Sequence, residues 1–312
     1  MSDTPKRVLS IQSHVVSGYV GNKTATFPLH LFGYDVDPLL TVQFSNHTGY
    51  AGFKGRRTTP EELRELYQGL KENLLTVGTY SHLLVGYIGL PESLQVVNEI
   101  IDDLCKTNPN IQIVIDPVMG DDGSYYVQEA ALPFYRDQIC PKAHMILPNQ
   151  FEAEKLTGRS IGSLEEAKEV TGLLHDLGPR HVVLTSITFP TEPETLYILG
   201  SSAPGMSGRE GAQAFYIAFP RLKGWFTGSG DLFSSLILAR FHQEGDLIKA
   251  CELTVASVQA ILHRTQNKAQ NEDALATRRG AHPLKVRACE LALIPGRGDL
   301  ENPTVKYTCI KY

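Results

Sequence analysis

The segment Thr227-Gly228-Ser229-Gly230-Asp231-Leu232-Phe233 sets two glycines and a hydroxyl directly ahead of a carboxylate and an apolar helical repeat (Leu232, Phe233, Leu236, Ile237). Gly-Ser-Gly lets the backbone turn tightly and point successive amides outward. With the positive end of the following helix dipole they form an anion site suited to a phosphate. Asp231, in that first turn, either complements the dipole or accepts a proton from an incoming hydroxyl. Asp116-Pro-Val-Met-Gly-Asp121 offers two carboxylates across a Pro/Gly turn. These either cap the turn or hold a divalent cation that bridges phosphates, since Mg²⁺ takes one or two carboxylates and keeps its waters. In Pro148-Asn149-Gln150-Phe151-Glu152, Asn149 reads as a helix N-cap and Glu152 as its capping-box partner. The same spacing puts both side chains on one side of the first turn, within reach of a metal-bound water or a phosphate. Thr185 and Ser186 add hydroxyls at the end of the run His181–Leu184.

The acidic turn, the Asn149 segment and the Thr185–Ser186 pair follow members of a series of short apolar runs, several of which read as strands buried on both faces: Val8–Gln12, Val36–Phe44, His82–Gly86, Ile111–Ile115, His144–Leu147 and His181–Thr185. Helical stretches alternate with them, opened by Thr59-Pro60-Glu61-Glu62, by Pro91-Glu92-Ser93 and by Ser163-Leu-Glu-Glu. Strand–helix–strand repetition implies parallel pairing and right-handed crossovers, hence a three-layer α/β/α sandwich with a mostly parallel central sheet. Leu196–Leu199 and Ala214–Ala218 read as a late antiparallel pair around a loop at Gly200–Gly211. Helices at about Gly230–Glu244 and Leu247–Asn267 follow, and Lys268–His282 reads as a loop. Ligands of open α/β sheets bind at the carboxyl ends of the strands, so four strand ends bearing anion- or cation-binding groups argue jointly for a nucleotide-phosphate and metal site.

Phe44-Ser45-Asn46-His47-Thr48-Gly49-Tyr50, with Ser13 and Tyr87 at neighbouring strand ends, can line a pocket for a flat ring with polar edges. His47 equally suits a hydrogen-bonded core or rim position. Gly18-Tyr-Val-Gly21-Asn22-Lys23-Thr24 imitates a phosphate-binding P-loop, but Asn22 separates the glycine from the lysine and the motif fails. Protein-kinase signatures are absent.

Composition narrows the classes. The 312 residues are 42% hydrophobic and 20% charged with a formal charge of −5, which excludes disorder and argues against a dedicated nucleic-acid or anionic-membrane binder. The longest apolar stretch, Leu83–Leu90, falls far short of the roughly 18 residues of a membrane span, and the first residues carry no apolar signal region. Cys105, Cys140, Cys251, Cys289 and Cys309 are scattered without CxxC spacing, which fits a reduced, cytoplasmic protein. No linker or internal repeat interrupts the chain, and one domain over 1–312 is expected.

Together Ser10–Asn22, Val42–Tyr50, Asp116–Asp121, Pro148–Glu154 and Gly228–Phe233 resemble, in order and over nearly the whole chain, the pyridoxal kinase family of the ribokinase-like superfamily. The resemblance implies ATP-dependent phosphorylation of the 5′-hydroxymethyl group of pyridoxal, pyridoxine and pyridoxamine for salvage of pyridoxal 5′-phosphate. It also implies Mg²⁺, stimulation by K⁺, and a homodimer. By position Asp231 would be the base, and the amides of Gly228, Ser229 and Gly230 the anion hole. Ser13 and Thr48 would hydrogen-bond the pyridine ring, walled by Val20, Phe44, His47 and Tyr87. Asp121, with Glu152 through water, would approach Mg²⁺. Asn149, Thr185, Ser186 and Ser229 would contact ATP phosphates, Leu222 and Phe233 would flank the adenine, and Tyr126 would lie in a loop closing over the phosphates. Asp116 and Thr185 would lie near the monovalent cation. Three departures stand out: Ser229 in place of a common Thr, Leu147 in place of a Thr that would lend the K⁺ site an oxygen, and a short Asp121–Tyr126 loop. A hydroxymethylpyrimidine kinase shares the anion hole but not the Ser45–Tyr50 segment. A non-catalytic vitamer or nucleotide binder would not need Asp116, Asp121, Glu152 and Asp231 together.

Overall fold

A computed structural model describes residues 6–73, 80–203, 213–269 and 274–312. In chain order the elements begin β1 (Lys6–Val15), α1 (Asn22–Leu31), β2 (Tyr34–Phe44), β3 (Gly55–Arg57), α2 (Pro60–Asn73), β4 (His82–Val85), α3 (Ser93–Thr107) and β5 (Gln112–Ile115). The small strands β6 (Gly120–Asp121) and β7 (Ser124–Tyr125) and a helical turn α4 (Ala131–Phe134) precede β8 (Met145–Ile146), α5 (Gln150–Thr157), α6 (Leu164–Asp176) and β9 (His181–Phe189). Then come β10 (Glu192–Ser202), β11 (Gln213–Pro220), α7 (Ser229–Glu244), α8 (Leu247–Lys268), α9 (Pro283–Ala288), α10 (Arg297–Glu301) and β12 (Ile310–Lys311).

One ten-stranded sheet has the order β12-β11-β10-β9-β8-β5-β4-β1-β2-β3. The six strands from β9 to β2 in that order run parallel, so their carboxyl ends share one edge. The expected α/β sandwich with a mostly parallel sheet is what forms. Alternate residues of each inner strand enter opposite cores, which is why these strands read as unbroken apolar runs. Leu9, Leu83, Val85 and Ile113 pack with Leu63 of α2, Val97 and Ile101 of α3 and Leu174 of α6. Val8, Leu84, Val114 and Val183 pack on the other face with Leu29 of α1, Leu236 of α7 and Val255 of α8.

Two of the three expected helix starts hold in detail, and the third helix begins at Ser93 without a side-chain cap. Thr59 Oγ1 accepts from Glu62 N while Thr59 N donates to Glu62 Oε2, and Ser163 Oγ accepts from Glu166 N. Two boundaries differ. Gly200 lies inside β10 opposite Phe215, where a Cβ would fall 2.2 Å from the Phe215 ring, so the expected loop starts later; its remaining residues from 204 lie outside the described ones. The antiparallel part is also wider than a pair, because β10 joins β9 antiparallel and β3 and β12 add short antiparallel edges. Among the described residues no helix is long and apolar enough to cross a membrane, and all five cysteines are free.

Candidate active site

A cleft of about 290 Å³ opens at the carboxyl edge of the parallel strands. A β-bulge between Gln12 and Ser13 interrupts the β1–β2 register at the rim. Such an irregularity re-aims a side chain, and Ser13 lines the cleft with Val20 from the β1–α1 loop. Phe44 ends β2, His47 and Thr48 follow it, and Tyr87 follows β4; all four face the same space.

The opposite wall is polar. Gly228 caps α7 at φ 86°, and a Cβ there would lie 2.1 Å from Tyr19 O, so glycine is required. Gly228, Ser229, Gly230 and Asp231 line the cleft with Asp116, Asp121, Tyr126, Asn149, Glu152, Thr185 and Ser186. The anion loop and the acidic turn converge: a Cβ on Gly230 would sit 3.7 Å from Asp116 Oδ2. Asn149 and Glu152 form the expected capping box, with Glu152 N donating to Asn149 Oδ1 and Asn149 N to Glu152 Oε2, each at 2.9 Å. The same pair ties down the acidic turn, because Asn149 Nδ2 donates to Gly120 O at 2.7 Å and Met119 N to Glu152 Oε1 at 2.9 Å. Beyond that turn, β6 and β7 form a hairpin around Asp122 (φ 48°) and Gly123 (φ 75°), the paired positive φ values of a type I′ turn, and Tyr126 follows it with its N–H on Met119 O. Ser186, at φ 55°, holds a conformation a non-glycine residue adopts rarely, a cost of about 1–3 kcal/mol that clusters at functional sites. Two expected members do not line the cleft: Phe233 is buried in the core between α7 and the sheet, and Leu222 packs against that core.

A pyridoxal kinase of Arabidopsis thaliana is 44% identical over 312 residues, covering 100% of this chain and 96% of that protein. The chain belongs to the pyridoxal kinase family. A human pyridoxal kinase is 40% identical over 307 residues, with 96% of each chain covered. Among solved structures, a pyridoxal kinase from Leishmania donovani in complex with ADP and pyridoxamine matches with a TM-score of 0.87 and 31% identity, over 98% of this chain and 99% of that one. The sandwich is therefore the ribokinase-like fold of pyridoxal kinases. A family model described as phosphomethylpyrimidine kinase matches residues 82–275. It takes in the acidic turn and the anion loop but not Ser13 or the His47 segment.

In this pyridoxal kinase family member the carboxylates are strongly perturbed. Burial raises Asp116 well above the carboxylate range, and the charges of Glu152 and Asp231 raise it further. Burial pushes Glu152 up to about 8 against the backbone amides that hydrogen-bond it, and raises Asp121 as well. Asp231 is pushed up to about 6 by burial, opposed by a hydrogen bond from the Gly21 amide. The desolvation of Asp231 is a tertiary effect that no local sequence pattern shows. Buried carboxyls crowded in this way hold protons unless a cation takes their place. Among the described residues no three His, Cys, Asp or Glu side chains converge as a self-sufficient metal site. A metal shared between one or two carboxylates and ligand phosphates fits that donor set.

Several lining residues escaped the sequence reading. Trp225, the chain's one tryptophan, and Phe226 line the cleft just ahead of the anion loop. Arg57 stacks its guanidinium on the Phe44 ring at 5.5 Å. Arg279, from the segment read only as a loop, donates from Nε to Thr48 O at 2.9 Å. Adjacent aromatics before a Gly-Ser-Gly-Asp loop were a readable signal; nothing local marked the two arginines.

Proposed function

We propose that this chain transfers the γ-phosphoryl group of ATP to the 5′-hydroxymethyl group of pyridoxal, and of pyridoxine and pyridoxamine. The observation that carries this reading is the convergence of the Gly228–Asp231 loop with the Asp116–Asp121 turn across one cleft, facing an aromatic-walled recess. The vitamer ring sits between Val20, Phe44, His47 and Tyr87, with Ser13 and Thr48 at its polar edge. Asp231 takes the hydroxyl proton as the oxygen attacks the γ-phosphorus and the bond to the bridging oxygen breaks, releasing ADP. A desolvated carboxylate with a pKa of about 6 is a stronger base than an ordinary aspartate and is still ionised at neutral pH. The amides of Gly228, Ser229 and Gly230 meet the charge that develops on the phosphoryl oxygens, as preorganised donors at a helix N-terminus. Positioning and charge neutralisation of this kind supply most of the rate in phosphoryl transfer.

Asn149, Thr185, Ser186 and Ser229 are assigned to the ATP phosphates, with Tyr126 beside them. Leu222, half-buried, and Phe233, buried, are assigned to flank the adenine. Asp121, assisted by Glu152, would hold Mg²⁺, which when bound neutralises the phosphate charge. Asp116 and Thr185 would border a monovalent cation such as K⁺, where apolar Leu147 offers no side-chain oxygen. One kinase domain over 1–312, a homodimer and a cytoplasmic location complete the reading.

Absorbance at the pyridoxal 5′-phosphate band, with pyridoxal and Mg·ATP in the presence and absence of K⁺ and hydroxymethylpyrimidine assayed in parallel, tests it. Product from pyridoxal well above that from the pyrimidine is expected. Turnover of the pyrimidine alone would move the chain to the sister activity, and vitamer binding without turnover would make it a binder.

A further inference from the structure

Glu290, just beyond α9, is 9% exposed and lies far in sequence from the two loops it joins. Its two oxygens reach two loops of the vitamer recess. Oε2 accepts from Tyr19 N, in the β1–α1 loop, at 3.0 Å. Oε1 accepts from Tyr50 OH at 3.1 Å and from His47 Nε2 at 3.0 Å, both in the loop after β2. Backbone space is cut to fit it: at Gly18, φ 94°, a Cβ would fall 2.4 Å from Glu290 Oε1. Burial alone would raise the Glu290 carboxyl, but these donors outweigh it and hold the group below the usual carboxylate range. The carboxylate is therefore ionised and fully committed to the two loops.

The network also fixes His47. Gly49 N donates to His47 Nδ1 at 3.1 Å, so the ring proton resides on Nε2 and points at Glu290. That tautomer secures the turn 47–49, and Thr48 is a ring contact in the proposed site. Val20 adjoins Tyr19 on the other loop. We infer that Glu290 is a positioning residue for the vitamer: one buried carboxylate sets the separation of the Val20 and His47–Thr48 walls, and through it the fit of the pyridine ring. This rests on the pyridoxal-phosphorylating reading above. The Tyr19 carbonyl packs against Gly228 of the anion loop, but the Glu290, His47 and Tyr50 side chains spend their hydrogen bonds on the two loops of the recess, so the effect falls first on the vitamer.

Glu290→Gln keeps the shape but sets an amide donor against the Tyr19 or the His47 and Tyr50 donors. The expected result is a KM for pyridoxal raised about 10-fold or more, since charged hydrogen bonds are worth that order, with kcat within about two-fold and the KM for Mg·ATP unchanged. Titration of Trp225 fluorescence with pyridoxal alone should give a weakened Kd of the same factor. Tyr50→Phe removes one of the three donors and should raise the pyridoxal KM by a smaller factor, about three-fold. An unchanged pyridoxal KM and Kd in Glu290→Gln, or a parallel loss for pyridoxal and Mg·ATP, overturns the inference. Should Glu290→Gln fail to fold, an unchanged pyridoxal KM in Tyr50→Phe overturns it. If the wild-type chain makes no pyridoxal 5′-phosphate, the functional reading fails, while the pyridoxal Kd of the two proteins still decides the role of Glu290.

Discussion

Glu152, in the first turn of α5, accepts a hydrogen bond from Met119 N at 2.9 Å across the carboxyl edge of the sheet. Its other oxygen holds Asn149 N, so one carboxylate both caps its helix and anchors the acidic turn. Glu152→Ala would leave those buried amides without partners, and each such group costs about 1–3 kcal/mol. A fall in the thermal midpoint of several degrees is expected, together with weaker binding of Mg·ATP. Calorimetry and a nucleotide titration check both; an unchanged midpoint would mean that water replaces the carboxylate without cost.

Asp231→Asn should keep the fold and nucleotide binding while kcat falls roughly 10²-fold or more, the usual contribution of a general base. Wild-type kcat/KM should also show an acid limb near pH 6, because Asp231 is pushed up to about 6 and loses its capacity to accept a proton below that value. Steady-state rates between pH 5 and 8 check the limb. Near-normal turnover in the variant would remove Asp231 from the chemistry.

Asp116 carries a raised pKa, so the stability linked to its protonated form is complete below the unfolded value near 4 and is lost as pH rises through the folded value. Without nucleotide or cations, Asp116→Asn should therefore melt a few degrees above the wild type at pH 8.5, with the gap closing toward pH 5. Activity should fall at the same time. Melting curves of both proteins across that range test the sign.

At the opposite edge of the sheet the linkage runs the other way. Burial depresses His82 to about 3 and His181 to about 4, with neighbouring histidines adding to the effect. These groups cost nothing above pH 6.5, where the unfolded chain also holds them neutral. Below that value the unfolded state binds protons that the native state refuses, so stability falls on the order of 2 kcal/mol per histidine by pH 5. His82→Leu should flatten the decline of the melting temperature between pH 6.5 and 4.5. Because the carboxylates and the histidines pull in opposite directions, differences between variant and wild type isolate each group better than either curve alone.

The amino-acid order alone determined whatever depends on neighbours a few residues apart. The capping box of Asn149 and Glu152, the glycine turn before α7 and the chemistry at each strand end are local geometry, and alternation of apolar runs with capped helices dictated a parallel sheet whose carboxyl edge gathers them. The Asp122-Gly123 hairpin was equally local, a turn signal legible in two residues. Tertiary structure decided what depends on residues far apart in the chain. Glu290 meets Tyr19 across 271 positions and Arg279 meets Thr48 across 231, distances over which no spacing rule operates. Phe233, read locally as part of the apolar repeat of its helix, does enter the core. The basicity of Asp231, by contrast, emerged only with the fold, because desolvation is a sum over all the atoms that exclude water from a carboxylate, and most of them come from other segments.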